Sequence, residues 1–249
     1  MSDVVVVIPA RFASTRFPGK PLASRTGRPL IQHVCERAAL ARCATRILVA
    51  TDDARIAKVV QSFGGQVAMT RADHPNGTSR LAEVARDLAA GTIVVNVQGD
   101  EPEIDPVLID KAVESLGDSD VCTVASPFAA GEEPSDPNIV KVVVDRLGRA
   151  LYFSRALIPH RRDTIGPSQP LKHVGLYVYR REFLLEYVGL TPTPLERTEH
   201  LEQLRILEHG RRIQVVIAET KHHGIDTPEQ YNDFVRRWQA GQSGRRADK

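Results

Sequence analysis

Three cationic side chains follow the first apolar segment of the chain within ten positions. Arg11, Arg16 and Lys20 come after residues 4–8, an unbroken run of β-branched residues that Pro9 ends. Such a run predicts a central parallel strand that is buried on both faces. Because open α/β sheets bind ligands outside the carboxyl ends of their strands, this spacing indicates a loop for an anionic ligand such as a triphosphate. The alternative is a set of solvated surface cations, where most Lys and Arg side chains lie.

The loop does not match the two common glycine-rich phosphate motifs. It contains neither Gly-x-x-x-x-Gly-Lys-Ser/Thr nor Gly-x-Gly-x-x-Gly. Those motifs are typical of P-loop and dinucleotide-binding proteins. Both classes are therefore disfavoured.

Two carboxylates stand at the end of a later apolar segment. Residues 92–98 are typical of a buried strand, and Asp100 and Glu101 follow it. Carboxylates at the end of a central strand are costly to bury unless a cation meets them. Mg²⁺ typically takes one or two carboxylates together with substrate phosphates and waters. We therefore predict Asp100 as a magnesium ligand; a simple helix N-cap is the alternative.

The elements that must position these side chains alternate between strand and helix. Apolar residues at helical spacing predict a helix within residues 28–44, and residues 46–51 and 66–70 are typical of strands on either side of a helix from 52 to 63. This alternation predicts βαβ units. The expected fold is α/β, with a Rossmann-like, mostly parallel sheet flanked by helices.

The middle of the chain adds further helices and a hairpin. Helices are predicted over residues 78–89, with Thr78 as N-cap, and over 105–116, and a strand over 121–126. Residues 140–145 and 150–154 are typical of a hairpin. Residues 172–179 then alternate as a strand, which places on one face His173, Gly175, Tyr177 and Tyr179.

The last third of the chain is predicted to end in a helix. Residues 194–209 are typical of one helix, whose core positions would be Leu195, Leu201, Leu204 and Leu207. Residues 213–218 form the last predicted strand. Asp226 has the pattern of an N-cap with Glu229 as its capping-box partner, and the helix would run to Trp238. We expect one domain over residues 1–240, with a hairpin lobe at about 127–180 and a frayed tail at 241–249.

Composition argues against nucleic-acid-binding, membrane-inserted and disulfide-rich proteins. With 33 basic and 31 acidic residues the net charge is +2, which gives no surplus for a polyanion, so nucleic acid is not an expected partner. No apolar run reaches the roughly 18 residues that span a bilayer, and we expect no membrane insertion or export. Three cysteines without Cys-x-x-Cys spacing favour a reduced, cytoplasmic location over a disulfide framework.

Five ordered stretches resemble the sugar-activating nucleotidyltransferases, and among them the members that use the acidic eight-carbon sugar 3-deoxy-manno-octulosonate (Kdo). The opening is IPARFASTRFPGKPL at residues 8–22. The other stretches are MTRADH at 69–74, VNVQGDEP at 95–102, ALYFSR at 150–155 and GIDTPE at 224–229. The resemblance runs from about residue 4 to about residue 238, almost the whole chain.

The resemblance implies that CMP passes from CTP to the anomeric hydroxyl of Kdo with loss of pyrophosphate, for lipopolysaccharide biosynthesis. It implies Mg²⁺ as cofactor, held by Asp100 and Asp226, and a homodimer built through the hairpin lobe. The catalytic residues would be Arg11, Arg16, Lys20, Asp100 and Asp226. Such in-line transfer relies on positioning and charge neutralisation more than on a covalent nucleophile.

The resemblance also implies two binding sets. The nucleotide would contact Ala10, Arg11, Ser14, Thr15, Lys20, Gly77, Thr78, Arg80, Gln98 and Gly99. The sugar would contact Gln98, Arg155, His173, Tyr177, Glu202 and Gln203, with Arg155 suited to a carboxylate. The chain departs from the family's usual Ser-Gly-Thr-Glu/Asp-Arg at Asn76 and Ser79.

Two other hypotheses remain open at this point. One is a cytidylyltransferase for another sugar acid, amino-Kdo or sialic acid, although residues 14–20 resemble the Kdo type. The other is a non-catalytic nucleotide-sensing domain, which could keep the basic loop but would not need Asp100 and Asp226 together.

Overall fold

The computed structural model describes residues 3–13, 16–162, 169–220 and 224–247, and their side chains as far as residue 241. Ser14 and Thr15, which the resemblance assigned to the nucleotide, lie outside the described residues. No helix in the described ranges combines the length and apolarity that crossing a membrane requires.

Within the described residues, nine strands form one sheet, and seven of them make up its main part, called here the main sheet, in the order β3-β2-β1-β4-β8-β5-β9. Their bounds are Val4–Pro9 for β1, Arg46–Thr51 for β2, Gln66–Met69 for β3, Ile93–Asn96 for β4, Val121–Pro127 for β5, Leu171–Arg180 for β8 and Ile213–Ile217 for β9. Six of these run in one direction, and β8 is antiparallel to both of its neighbours, β4 and β5. The prediction of a mostly parallel α/β sheet is confirmed.

Eight α-helices flank this sheet in the described residues. They are Leu30–Ala38 (α1), Ala54–Ser62 (α2), Gly77–Arg86 (α3), Pro106–Glu114 (α4), Arg181–Tyr187 (α5), Pro194–Glu199 (α6), Gln203–Glu208 (α7) and Pro228–Ala247 (α8), and a short 3₁₀ helix spans Lys20–Leu22. Strand β1 is covered on both sides, since Val4, Val6 and Ile8 pack into one core cluster and Val5 and Val7 into another. Its predicted burial on both faces is confirmed.

The predicted hairpin is present, but the segment 127–180 does not form one lobe. Strands β6 (Lys141–Val144) and β7 (Ala150–Ser154) pair with each other, and β6 joins the sheet through β8. β8 itself lies in the middle of the main sheet, although the prediction placed its residues in the lobe. Its alternation is as predicted, because Val174, Leu176 and Val178 pack into one core cluster and Tyr179 into the other.

Three helix predictions were wrong in detail. Asn76, not Thr78, caps α3, with its side chain accepting from the Ser79 amide. The single helix predicted over 194–209 is broken at His200, whose φ is 53°, and Leu195, predicted to be core, is 40% exposed. The chain turns there because a non-glycine residue in the left-handed region ends the helical path.

The cap of α8 is also one residue later than predicted. Gln230 Oε1 accepts from the Thr227 amide at 3.1 Å, and the Gln230 amide donates to Thr227 Oγ1 at 3.3 Å. This reciprocal pair is a capping box with Thr227 as N-cap. The helix then continues to Ala247, past the predicted end at Trp238 and into the predicted tail. The Asp226 carboxylate is thereby left for other contacts.

Candidate active site

The Lys20 ammonium joins three segments that are far apart in sequence. Its Nζ donates to Asp100 Oδ2 at 2.6 Å and to the Ile225 carbonyl at 2.7 Å, and lies 3.7 Å from Asp226 Oδ1. The side chain is 13% exposed, so it is largely removed from water. The loop can present Lys20 this way because Gly19, at φ 69°, turns the chain into the 3₁₀ helix. Three of the predicted catalytic residues therefore meet at one point.

Arg16 reaches the same point from the solvent side. Its Nη2 lies 2.9 Å from Asp226 Oδ1, and both side chains are well exposed, at 65% and 45%. An exposed pair of this kind contributes little to stability. Arg16 and Asp226 are thus available to a ligand rather than required for the fold.

Asp100 and Asp226 have the chemistry of a magnesium site. Both carboxylates converge on one cationic group, the Lys20 ammonium, and the Ile225 amide is bonded to the Asp100 carbonyl at 2.9 Å, which fixes the two segments together. Within the described residues, no group of three or more His, Cys, Asp or Glu side chains could hold a metal. Two carboxylates with phosphates and waters are a sufficient set for Mg²⁺, so the residues present fit the ion.

Arg11 lines a cavity of about 200 Å³ at the carboxyl ends of β1 and β4. The predicted nucleotide residues that line it are Ala10, Arg11, Lys20, Gly77, Gln98 and Gly99, and Asp100 is also in the wall. Gly99 is required here, since a Cβ on it would stand 2.6 Å from the Pro9 carbonyl oxygen. We call this space the nucleotide cavity.

A second cavity of about 370 Å³ adjoins the first through Gly77 and Gln98. It contains five of the six predicted sugar residues, namely Gln98, His173, Tyr177, Glu202 and Gln203, and also Thr78 of the nucleotide set. We call it the sugar cavity. The structure therefore brings the two predicted sets side by side.

His173 is neutral at pH 7 in the wall of the sugar cavity. Burial lowers the pKa of its imidazole to about 4. Nε2 lies 2.9 Å from Thr123 Oγ1, and that hydroxyl donates to the Leu176 carbonyl at 2.8 Å. When the hydroxyl donates to this carbonyl and accepts from Nε2–H, both groups are satisfied and Nδ1 keeps its lone pair. His173 therefore offers a hydrogen-bond acceptor rather than a positive charge.

Glu202 and Tyr177 are protonated more readily than in water. Burial raises the pKa of both groups, and Thr78 Oγ1 donates to Glu202 Oε2 at 3.0 Å. This bond links the start of α3 to the loop before α7. Both shifts favour the protonated, uncharged form of these groups, and a hydroxyl-rich ligand can bond to either of them.

Among the predicted binding residues that the structure describes, two do not line either cavity. Arg80 is fully buried, with its guanidinium 3.0 Å from Asp52 Oδ1 and also bonded to Thr70 Oγ1. Arg155 donates through Nε to the Glu199 carbonyl at 2.8 Å and through Nη1 to the Pro137 carbonyl at 3.1 Å. Both guanidinium groups hold the surrounding loops together in this structure.

Sequence reasoning missed a cluster behind Arg11. Arg11 Nη2 donates to the His74 carbonyl at 2.8 Å, and the His74 imidazole contacts Ser79 and Glu83. The sequence contains only a weak indication of this cluster, a histidine followed by a serine five positions later and a glutamate nine positions later. These side chains meet only if the turn at His74 and the start of α3 are both placed correctly. The departures at Asn76 and Ser79 belong to this cluster, since Asn76 caps α3 and Ser79 contacts the imidazole.

Known proteins match this chain over most of its length. The family model described as cytidylyltransferase matches residues 5–213. A 3-deoxy-manno-octulosonate cytidylyltransferase of Syntrophotalea carbinolica is 52% identical, over 94% of this chain and 96% of its own length. One of Pseudoalteromonas atlantica is 50% identical, over 90% and 93%.

Two solved structures have the same fold as this chain. A CMP:2-keto-3-deoxy-manno-octonic acid synthetase in complex with CTP is 42% identical and superposes with a TM-score of 0.90, covering 94% of this chain and 98% of that one. A 4-diphosphocytidyl-2C-methyl-D-erythritol synthase of Anaerococcus prevotii is 13% identical with a TM-score of 0.60, over 92% and 94%, and shares the fold.

Proposed function

The chain belongs to the cytidylyltransferase family, and from that premise we propose that it transfers CMP from CTP to the anomeric hydroxyl of Kdo, releasing pyrophosphate. The observation that carries the proposal is the junction of Lys20, Asp100 and Asp226 beside the nucleotide cavity, which opens toward the sugar cavity. Relatives about 50% identical over almost their whole length carry the same activity in their names.

The nucleotide part of the reaction depends on the β1 loop. Arg11 and Lys20 line the nucleotide cavity and would bind the triphosphate, and Arg16 approaches from solvent. In-line displacement at the α-phosphate concentrates negative charge on its oxygens and on the leaving pyrophosphate. Fixed cations stabilise that charge without reorganisation during the reaction. No covalent intermediate is needed.

Magnesium would be held by Asp100 and Asp226. When bound, the ion supplies charge neutralisation for the phosphates and lowers the pKa of the sugar hydroxyl. The fold keeps the two carboxylates close together, because the Ile225 amide donates to the Asp100 carbonyl at 2.9 Å. Lys20 serves as their counter-ion.

The sugar cavity would orient Kdo by hydrogen bonds. His173 offers Nδ1 as an acceptor, Gln98 and Gln203 offer amides, and Tyr177 and Glu202 complete the polar wall. Gln98 lines both cavities, so it stands where the anomeric hydroxyl must meet the α-phosphate. A role for Arg155 at the sugar carboxylate stays a prediction, and it would require the guanidinium to leave its two carbonyl partners.

We further propose a cytoplasmic homodimer that serves lipopolysaccharide biosynthesis. Support for the dimer comes from the β6–β7 hairpin, where Leu147 and Leu151 are 65% and 62% exposed. Two large apolar side chains exposed on one hairpin would suit an interaction surface. Support for the compartment comes from the three free thiols, Cys35, Cys43 and Cys122, which suit a reducing environment.

Pyrophosphate release is expected to be at least about tenfold faster with CTP than with ATP or GTP when Kdo is the acceptor. Gly77 and Gln98, which the resemblance places around a pyrimidine, line the nucleotide cavity, and the additional ring atoms of a purine would cost binding of the transition state there. Initial rates under matched Mg²⁺ and protein concentrations check this. Equal rates from CTP and ATP would contradict the assigned base preference.

A further inference from the structure

We propose that His74 and Glu83 are positioning residues that hold Arg11 in its CTP-binding place and so set the affinity for the nucleotide. The inference rests on the proposed role of Arg11 at the triphosphate. Neither side chain lines the nucleotide cavity, so both would act through Arg11.

The first contact fixes the guanidinium itself. Arg11 Nη2 donates to the backbone carbonyl of His74 at 2.8 Å, across 63 positions in the sequence. Arg11 lies on an irregular loop after β1, outside any strand or helix. An arginine has several rotatable bonds, and ordering it on binding costs free energy that a preformed contact avoids. The position of the His74 carbonyl therefore determines the position of the Arg11 guanidinium before CTP binds.

The second set of contacts fixes His74. Its Nδ1 lies 3.2 Å from Ser79 Oγ, and its Nε2 is bonded to Glu83 Oε2. Ser79 Oγ is 3.0 Å from the Asn76 carbonyl, to which it donates, so it can accept from Nδ1. Ser79 and the Glu83 carboxylate thus hold the imidazole from its two ring nitrogens. The side chain is 11% exposed, which limits competition from water.

The third set anchors this turn to a rigid helix. Both Glu83 oxygens lie 3.2 to 3.3 Å from the Arg71 amide, so one carboxylate holds the turn at Arg71 and at His74. At the other end, Asn76 Oδ1 accepts from the Ser79 amide at 2.8 Å and caps α3. The opposite face of α3 is buried in the core through Leu81, Ala82, Val84 and Ala85. The packed helix α3 thus restrains Arg11 through four hydrogen-bonded residues, Asn76, Ser79, Glu83 and His74.

Energetic coupling between Glu83 and Arg11 in CTP binding distinguishes a positioning role of Glu83 from a purely structural one. If Glu83 merely stabilised the turn, its loss would lower the melting temperature and affect CTP binding alike whether or not Arg11 is present. If it acts by placing the guanidinium, its effect on CTP must vanish once the guanidinium is gone. Double-mutant cycles measure that difference.

The experiment is calorimetric binding of CTP to wild type, Glu83→Ala, Arg11→Ala and the double variant. We expect Glu83→Ala to weaken CTP binding about tenfold, within the range for coupled neighbours, and to add less than about twofold when Arg11 is already alanine. Glu83→Gln keeps an acceptor oxygen for the imidazole and is expected to retain affinity within about threefold. The KM for Kdo should stay unchanged in Glu83→Ala.

Asp73→Ala is the matched control. Asp73 lies in the same turn and pairs with Arg71 at 2.6 Å, but both of these side chains are exposed, whereas the His74 ring contacts Ser79 and Glu83. CTP affinity should remain within about twofold of wild type. Ser79→Ala removes the other ring partner and repeats the test if Glu83→Ala is too unstable to assay.

Two results would overturn the inference. One is an equal loss of CTP affinity from Glu83→Ala, or from Ser79→Ala, with and without Arg11. The other is an Arg11→Ala protein that binds CTP as wild type does. The proposed function would stand in either case, provided that the wild-type protein releases pyrophosphate from CTP with Kdo.

Discussion

Asp226→Asn is expected to lower turnover at least about a hundredfold while leaving the melting temperature of the ligand-free protein unchanged. The carboxylate is 45% exposed and meets Arg16 and Lys20, whereas the N-cap of α8 is Thr227. Its loss therefore costs the fold little. As a magnesium ligand, however, it would contribute charge stabilisation worth several kcal/mol in the transition state. Steady-state rates with CTP and Kdo and a thermal melt check both parts.

Thr227→Ala provides the crossed control. It removes the capping hydroxyl one position away and should cost roughly 1 kcal/mol of stability, with turnover retained. Partial recovery of Asp226→Asn at high Mg²⁺ would agree with weakened metal binding. An Asn variant with normal turnover would contradict the assignment and leave Asp100 as the protein ligand.

Lys20→Ala is expected to lower kcat/KM for CTP by about 10- to 150-fold. This is the loss that corresponds to a charge-assisted contact of roughly 1.5–3 kcal/mol. Lys20 also neutralises Asp100 and Asp226, so its removal leaves two carboxylates near each other without their counter-ion. We therefore expect the variant to depend more strongly on Mg²⁺ for thermal stability than wild type does.

Lys58→Ala is the control for the loss of one positive charge. Lys58 is exposed on α2, away from both cavities. Its replacement should leave kcat/KM and the Mg²⁺ dependence of melting unchanged. Wild-type kcat/KM in Lys20→Ala would show that the ammonium is a surface charge without a role in the reaction.

The parts of the fold that depend on short-range pattern were predicted from sequence. Residues 4–8 are apolar on both faces, and β1 is indeed covered on both sides. The strand over residues 46–51 was predicted with the bounds that β2 has. The alternation in residues 172–179 also gave the correct faces. It could not give the place of β8 between β4 and β5, because strand order and direction depend on distant pairing.

The wrong cap assignments arose where two patterns overlap. Asp226 with Glu229 and Thr227 with Gln230 both have capping-box spacing, and only the backbone at 226–227 chooses between them. Asn76 and Thr78 are likewise both good caps, two residues apart. At His200, helical spacing of leucines continues through a left-handed residue, so periodicity alone predicted one helix where there are two.

Which of the candidate residues lie close together was easiest to predict where they follow strands. Lys20, Asp100 and Gln98 lie near the carboxyl ends of β1 and β4, where parallel strands bring separate loops together. Arg80 and Arg155 were harder, because an arginine can serve a ligand or hold a loop with the same hydrogen bonds. Their partners, Asp52 for Arg80 and the Glu199 carbonyl for Arg155, are distant in sequence and visible only in the folded chain.

The most direct test of the account is product analysis with CTP, Mg²⁺ and three acceptors: Kdo, amino-Kdo and sialic acid. Pyrophosphate release and the mass of the nucleotide sugar are measured for each acceptor. The account predicts pyrophosphate and CMP-Kdo with Kdo, at rates well above those with the other two. Release with sialic acid or amino-Kdo but not with Kdo would contradict the proposed acceptor, and CTP binding without release from any of them would contradict the proposed activity.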